Sequence, residues 1–153
     1  GLQFDCDVTS DTAPLHGLVK QMLQAEPDLH VLRDPTRGGL AAALHEIAAQ
    51  SGVNMQLQES AIPVDKPVRS ACELLGLDPL HLACEGRLLA ICPAESSDRV
   101  LRAMQSHPQG RSAARIGQLT ERTQSPPIIA LRTVLGGHRI VDWPAGEQLP
   151  RIC

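Results

Sequence analysis

Apolar and polar positions alternate along the chain with two different periods. Over residues 10–28, Leu15, Leu18, Val19, Met22 and Leu23 recur at helical spacing. The pattern predicts a helix there, with Ser10 or Asp11 as its cap and Pro14 in its first turn. Residues 29–34, "LHVLRD", read as a short strand. Residues 38–52, "GGLAAALHEIAAQSG", predict a second helix, rich in alanine and closed by Gly52. Residues 53–58, "VNMQLQ", alternate as a half-buried strand does. A third helix is predicted over 65–76, with Asp65 as its cap and Pro67 in its first turn.

"GRLLAICP" at 86–93 is a continuous apolar run, the mark of a buried strand. An amphipathic helix follows over 95–107. Residues 112–120, 127–134 and 138–143 read as strands, the last two joined through the glycine-rich "LGGH" of a hairpin. Beyond Trp143 the periodicity stops. "PAGEQLPRIC" holds two prolines and a glycine, which predicts an extended tail over 144–153. Helices alternating with strands, then a cluster of strands, imply a layered α/β or α+β sheet domain.

Composition narrows what such a domain does. The 153 residues suffice for one domain with one real core. Phe4 and Trp143 are the only aromatics of the Phe, Trp and Tyr set, and the net charge is −3. That leaves neither a stacking platform nor a basic footprint for nucleic acid. The apolar runs are too short to span a bilayer, and the opening residues carry no signal-peptide pattern. Five scattered cysteines without CxxC spacing point to reduced thiols in a cytoplasmic protein.

Four groupings carry candidate chemistry. Asp34, Pro35, Thr36, Arg37, Gly38 and Gly39 stand between a strand and a helix. Two glycines allow close backbone approach, and the helix N-terminus behind them offers free N–H groups to an anion. Arg37 adds a bidentate grip. The same residues also fit a capped turn in which Asp34 or Thr36 satisfies the helix donors. The stretch has neither a P-loop GK[ST] ending nor a GxGxxG fingerprint. Glu85 precedes a glycine at the mouth of the apolar run, either as a solvated loop charge or as a partly desolvated base.

His30, His45 and His81, with Cys72, Cys84 and Cys92, match no zinc-ligand spacing. Their pattern predicts no metal site, and His45 falls within a helix as a surface or packing residue. Last, Cys153 ends the chain. It is not a prenylation box, since the cysteine is last rather than fourth from the end. The residues after Asp142 reach at most roughly 36–40 Å, so the thiol can visit sites far from the domain body.

"SDTAPL" at 10–15, "RDPTRGGLAAALHEIA" at 33–48, "ACEGRLL" at 83–89 and the terminal "PRIC" at 150–153 together resemble the C-terminal half of the HypE family. These are the carbamoyl dehydratases of nickel–iron hydrogenase maturation, within the PurM/aminoimidazole ribonucleotide synthetase-like superfamily. The resemblance implies an α+β fold, a layered α/β/α domain with a mixed sheet over 1–143, followed by the tail at 144–153. It implies an enzyme that dehydrates a carbamoyl group on its own terminal cysteine to a thiocyanate, with ATP and Mg2+. On this sequence Cys153 is the carrier and Glu85 the carboxylate beside the carbamoyl nitrogen. Asp34, Thr36, Arg37, Gly38 and Gly39 line the cleft near the nucleotide phosphates.

The implied partners are the carbamoyltransferase HypF and the HypC–HypD scaffold, with a homodimer for the full-length form and a cytoplasmic location. The family's N-terminal half, which carries the main Mg-ATP ligands and most of the dimer interface, is absent. The chain therefore reads as a fragment that does not turn over alone. Two other readings stand beside this one. The first is a docking module for the maturation partners. The second is another superfamily domain, akin to selenophosphate synthetases or thiamin-monophosphate kinases, which needs no terminal thiol.

Overall fold

The computed structural model describes residues 9–143. Its centre is helix α2 (Gly39–Ser51), in which Ala41, Ala42, Ala43, Leu44, Ile47 and Ala48 are all buried. A helix covered around so much of its circumference needs small side chains where neighbours come close, which explains the alanines. Gly52, left-handed at φ 65°, ends it and donates its N–H to Ala48 O at 2.9 Å.

One face of α2 packs on a four-stranded sheet in the order β4 (Gly117–Glu121), β2 (Val53–Gln58), β5 (Ile129–Arg132), β6 (His138–Ile140). The β2–β5 pair is parallel and the other two pairs are antiparallel, so the sheet is mixed. Met55 and Leu57 of β2 lie beside Ile129 and Leu131 of β5 in register, and all four are buried with α2. Removing each such side chain from water stabilises the fold by about 1.5–3 kcal/mol. Between them on β2, Gln56 faces solvent, as alternation requires.

Asn54 is the buried exception on that strand. Its Oδ1 accepts the Ile128 N–H at 2.8 Å, and its Nδ2 donates to Glu121 O and Thr123 Oγ1, each at 3.3 Å. It thereby pins the connection between β4 and β5 onto the sheet.

Two further strands form a separate antiparallel ribbon, β1 (Val31–Arg33) with β3 (Leu89–Ile91). Val31, Leu89 and Ile91 join the α2 core, whereas Leu32, Leu88, Ala90 and Cys92 pack with Leu18, Met22 and Val100. Burial on both faces is why "RLLAIC" reads as an unbroken apolar run rather than an alternating one. The second layer consists of α1 (His16–Ala25) and α4 (Ser97–Gln105). Glu26 ties their ends together. Its Oε2 accepts Arg99 Nη2 at 2.6 Å and its Oε1 the Asp28 N–H at 3.1 Å. Hydrogen bonds from Ser96 first, then Asp28, hold its carboxyl below the usual range.

Helix α3 (Lys66–Leu75) begins after Asp65 and ends at left-handed Gly76. Asp65 occupies the cap position as expected, but its side chain makes no capping bond. Among the described residues no helix is long and apolar enough to cross a membrane.

Candidate functional site

Three segments distant in sequence meet beside the N-terminus of α2. The first is the loop 34–38. Gly38 and Gly39 adopt φ 72° and 63°, and the Gly39 N–H donates to Thr36 O at 3.0 Å. Both torsions lie in the left-handed region that glycine tolerates best. Neither Asp34 nor Thr36 caps the helix, because no side chain bonds its first turn. The capped-turn reading therefore does not hold. Asp34 and Arg37 are exposed, and Arg37 makes no ion pair among the described residues. The result is an uncapped helix start with a free guanidinium beside it, suited to an anion's negative charge.

The second segment is the loop 80–86. It crosses Gly39 so closely that a Cβ there would lie 2.4 Å from Leu82 O and 2.6 Å from Leu80 O. The Cys84 N–H donates to Pro35 O at 3.0 Å, tying this loop to the first. Glu85 follows at once. Its side chain is exposed, so nothing in the described part of the chain desolvates it.

The third segment is residues 10–13. Helix α1 starts at His16, not near Ser10, and no side chain caps it. Ala13 precedes Pro14, which biases it away from helical torsions and delays the start. Asp11, expected as a cap, instead accepts the Glu85 N–H on its Oδ2 at 3.2 Å. A Cβ on Gly86 would lie only 1.5 Å from Asp11 O. The sequence signal for this contact is Gly86 itself, a glycine with no turn to explain it.

So the structure brings Asp34, Thr36, Arg37, Gly38, Gly39 and Glu85 together and adds Asp11 to them. Cys153 and the tail 144–153 lie outside the described residues. The Cys84 thiol, half-buried, donates to Leu82 O at 3.5 Å. Burial first, then the charges of Asp11 and Glu85, push its pKa up against the opposing pull of Arg87. His45 is a packing residue: its Nε2–H donates to Val141 O at 2.8 Å, and Trp143 meets it edge-on with centroids 5.4 Å apart. Among the described residues no three of His, Cys, Asp and Glu converge as metal ligands.

A cavity of about 310 Å3 opens elsewhere, under α3. Leu80, Leu131 and Cys72 are among its core-facing walls, and the Arg139–Asp78 ion pair at 2.7 Å stands in its rim.

Comparison with known proteins places this geometry. Residues 8–128 match the family model of AIR synthase related protein, C-terminal domain. The carbamoyl dehydratase HypE of Azotobacter vinelandii is 58% identical over 153 residues, which are 100% of this chain and 44% of that protein. A crystal structure of the hydrogenase maturation protein HypE in complex with ATP superposes with a TM-score of 0.89 at 45% identity, covering 99% of this chain and 46% of that one. A HypE–HypF complex gives 0.86 at 40%, covering 94% and 46%. The chain thus spans less than half the length of these relatives. It belongs to the family of AIR synthase related proteins, as their C-terminal domain.

Proposed function

We propose that this chain is the C-terminal part of an ATP-dependent carbamoyl dehydratase, which turns a carbamoyl group on Cys153 into a thiocyanate. One observation carries the reading. The bond from the Cys84 N–H to Pro35 O joins the anion-suited loop to the loop that bears Glu85. The anion-suited loop and the loop of an exposed carboxylate are thereby tied together, in a chain 58% identical to a carbamoyl dehydratase.

The chemistry needs both. Converting –S–C(=O)NH2 to –S–C≡N removes one oxygen and two N–H protons. ATP supplies phosphorylation of the carboxamide oxygen, so that a poor leaving group departs as phosphate. Glu85 takes the first proton from the nitrogen as the oxygen is phosphorylated, at hydrogen-bond reach, and the second proton leaves with the departing phosphate. Arg37 and the N–H groups behind Gly38 and Gly39 hold phosphate charge, and those glycines leave room for it. Cys153 keeps the carbon covalently bound throughout, so that no labile intermediate is released.

Asp34 is the only carboxylate on the anion-suited loop, so the Mg2+ ligands fall to the rest of a full-length protein, as does closure of the site against water. HypF, the partner in a solved HypE complex, is the carbamoyl donor, and the HypC–HypD scaffold receives the cyanide destined for the hydrogenase iron. The full-length protein is a cytoplasmic homodimer. Without its other half this chain does not hydrolyse ATP.

The test uses the full-length protein with HypF, carbamoyl phosphate and ATP, read by intact mass. A carbamoyl adduct on Cys153 that proceeds to thiocyanate is the expected result. Glu85→Gln keeps the adduct and slows its dehydration by about 10²–10⁴-fold. Normal dehydration by that variant removes Glu85 as the base, and no adduct on a folded protein removes Cys153 as the carrier.

A further inference from the structure

We propose that Asp11 is a positioning residue for Glu85, holding the loop that carries it through a bond to its backbone. The inference rests on the reading of Glu85 given above. Glu85's side chain is exposed and makes no bond of its own among the described residues. The place from which it reaches out is therefore set by its backbone alone. Two contacts fix that backbone. The Asp11 carboxylate accepts the Glu85 N–H at 3.2 Å, and an ionised acceptor strengthens such a bond. One residue on, Gly86 lies flat against segment 11–13. A Cβ there would sit 1.5 Å from Asp11 O, 2.6 Å from its carbonyl carbon and 3.0 Å from Ala13 N.

The clamping segment is itself braced. Ser10 Oγ donates to Thr12 Oγ1 at 3.0 Å, and the Thr12 N–H donates back to Ser10 Oγ at 3.3 Å. Behind it, the Cys84 N–H bond to Pro35 O holds the other end of the loop. Glu85 thus stands between two tethers, one to the anion-suited loop and one to Asp11. Asp11 is also close enough to raise the pKa of the neighbouring Cys84 thiol. A base held only by its main chain loses its aim when one tether is cut, and small misplacements of catalytic groups are costly in rate.

The experiment compares Asp11→Ala, Asp11→Asn and Glu85→Gln in the full-length protein. Carbamoylation of Cys153, its dehydration, and amide hydrogen exchange across residues 84–88 are all followed. Asp11→Ala is expected to carbamoylate normally and to dehydrate about tenfold to a hundredfold more slowly. Exchange at Glu85 should quicken in it. Asp11→Asn retains an acceptor oxygen and is expected to restore most of the rate and the protection. It also stands in if the alanine variant fails to fold. The positioning role is overturned if Asp11→Ala dehydrates at the wild-type rate while Glu85→Gln is slow. It is overturned as well if alanine and asparagine variants are equally slow with unchanged exchange. A fast Glu85→Gln, by contrast, overturns the assignment of Glu85 and the role built on it.

Discussion

The loop junction beside α2 and the cavity under α3 are two regions built on opposite terms. The cavity is roomy and lined by core residues: Leu131 is 0% exposed and Leu80 6%. Its charges are partly matched across the rim by Arg139 and Asp78. The junction brings unpaired charges, an uncapped helix and two glycines at contact distance into one place. Size marks where packing is incomplete. Chemistry is marked by polar groups held in place with nothing yet bonded to them. If that distinction is right, substitutions at the cavity change stability, and substitutions at the junction change rate.

Leu131→Ala gives the largest effect expected on the cavity side. It deletes a fully buried side chain shared by the cavity wall and the core. A loss of about 2–5 kcal/mol follows, read as a lowered denaturant midpoint. Dehydration per folded molecule should be unchanged in the full-length protein. A specific loss of rate instead would make the cavity part of the site.

Gly39→Ala probes the junction and is expected to cost about 1–3 kcal/mol through its backbone torsion, with the clash adding to it. The new Cβ meets two carbonyl oxygens, at 2.4 and 2.6 Å, on a backbone already at φ +63°. Relief comes by parting loop 80–86, which carries Glu85, from the start of α2. Dehydration should therefore fall further than stability alone explains. Lost stability with an unaltered rate would reduce the junction to architecture.

How far the sequence foretells these regions follows from how local their causes are. Strand 53–58 is found with its full bounds, because alternation is a property of neighbouring residues. The alanine-rich helix is found with its closing Gly52 for the same reason. The run at 86–93 shortens to Leu89–Ile91, because the residues before it are drawn away toward Asp11 and Pro35. The strand expected over 112–120 begins only at Gly117. Glu85 and the 34–39 loop are legible as separate motifs, but their contact is not. The role of Asp11 is misread, since a polar residue ahead of an apolar stripe looks like a cap and Pro14 fits a first turn, whereas the helix starts only at His16. The cavity is invisible in sequence, as its walls come from residues 59–80, 131 and 139.

The two regions also hold one thiol each, and here the difference narrows to its smallest measurable form. Cys72 in the cavity wall and Cys84 at the junction are both pushed above the ordinary thiol pKa, by burial first. In each case carboxylates reinforce the shift, Asp78 for Cys72 and Asp11 for Cys84, while one arginine opposes it. The thiolate is the nucleophile, so both should alkylate more slowly at pH 8 than the same cysteines in the unfolded chain. Cys72, only 4% exposed, should be the slower of the two.

The sign for stability follows from the same shift. A thiol pKa raised on folding favours the native state below the unfolded thiol pKa, near 8.5, and that contribution fades as the pH climbs through the folded value. Peptide-resolved labelling with iodoacetamide across pH 7–10 checks both statements. Labelling of native Cys84 faster than in the unfolded chain near neutral pH would mean that the junction activates its thiol. Cys84 would then compete with Cys153 for the carbamoyl group. Slow labelling at both sites would leave neither Cys72 nor Cys84 as a nucleophile near neutral pH.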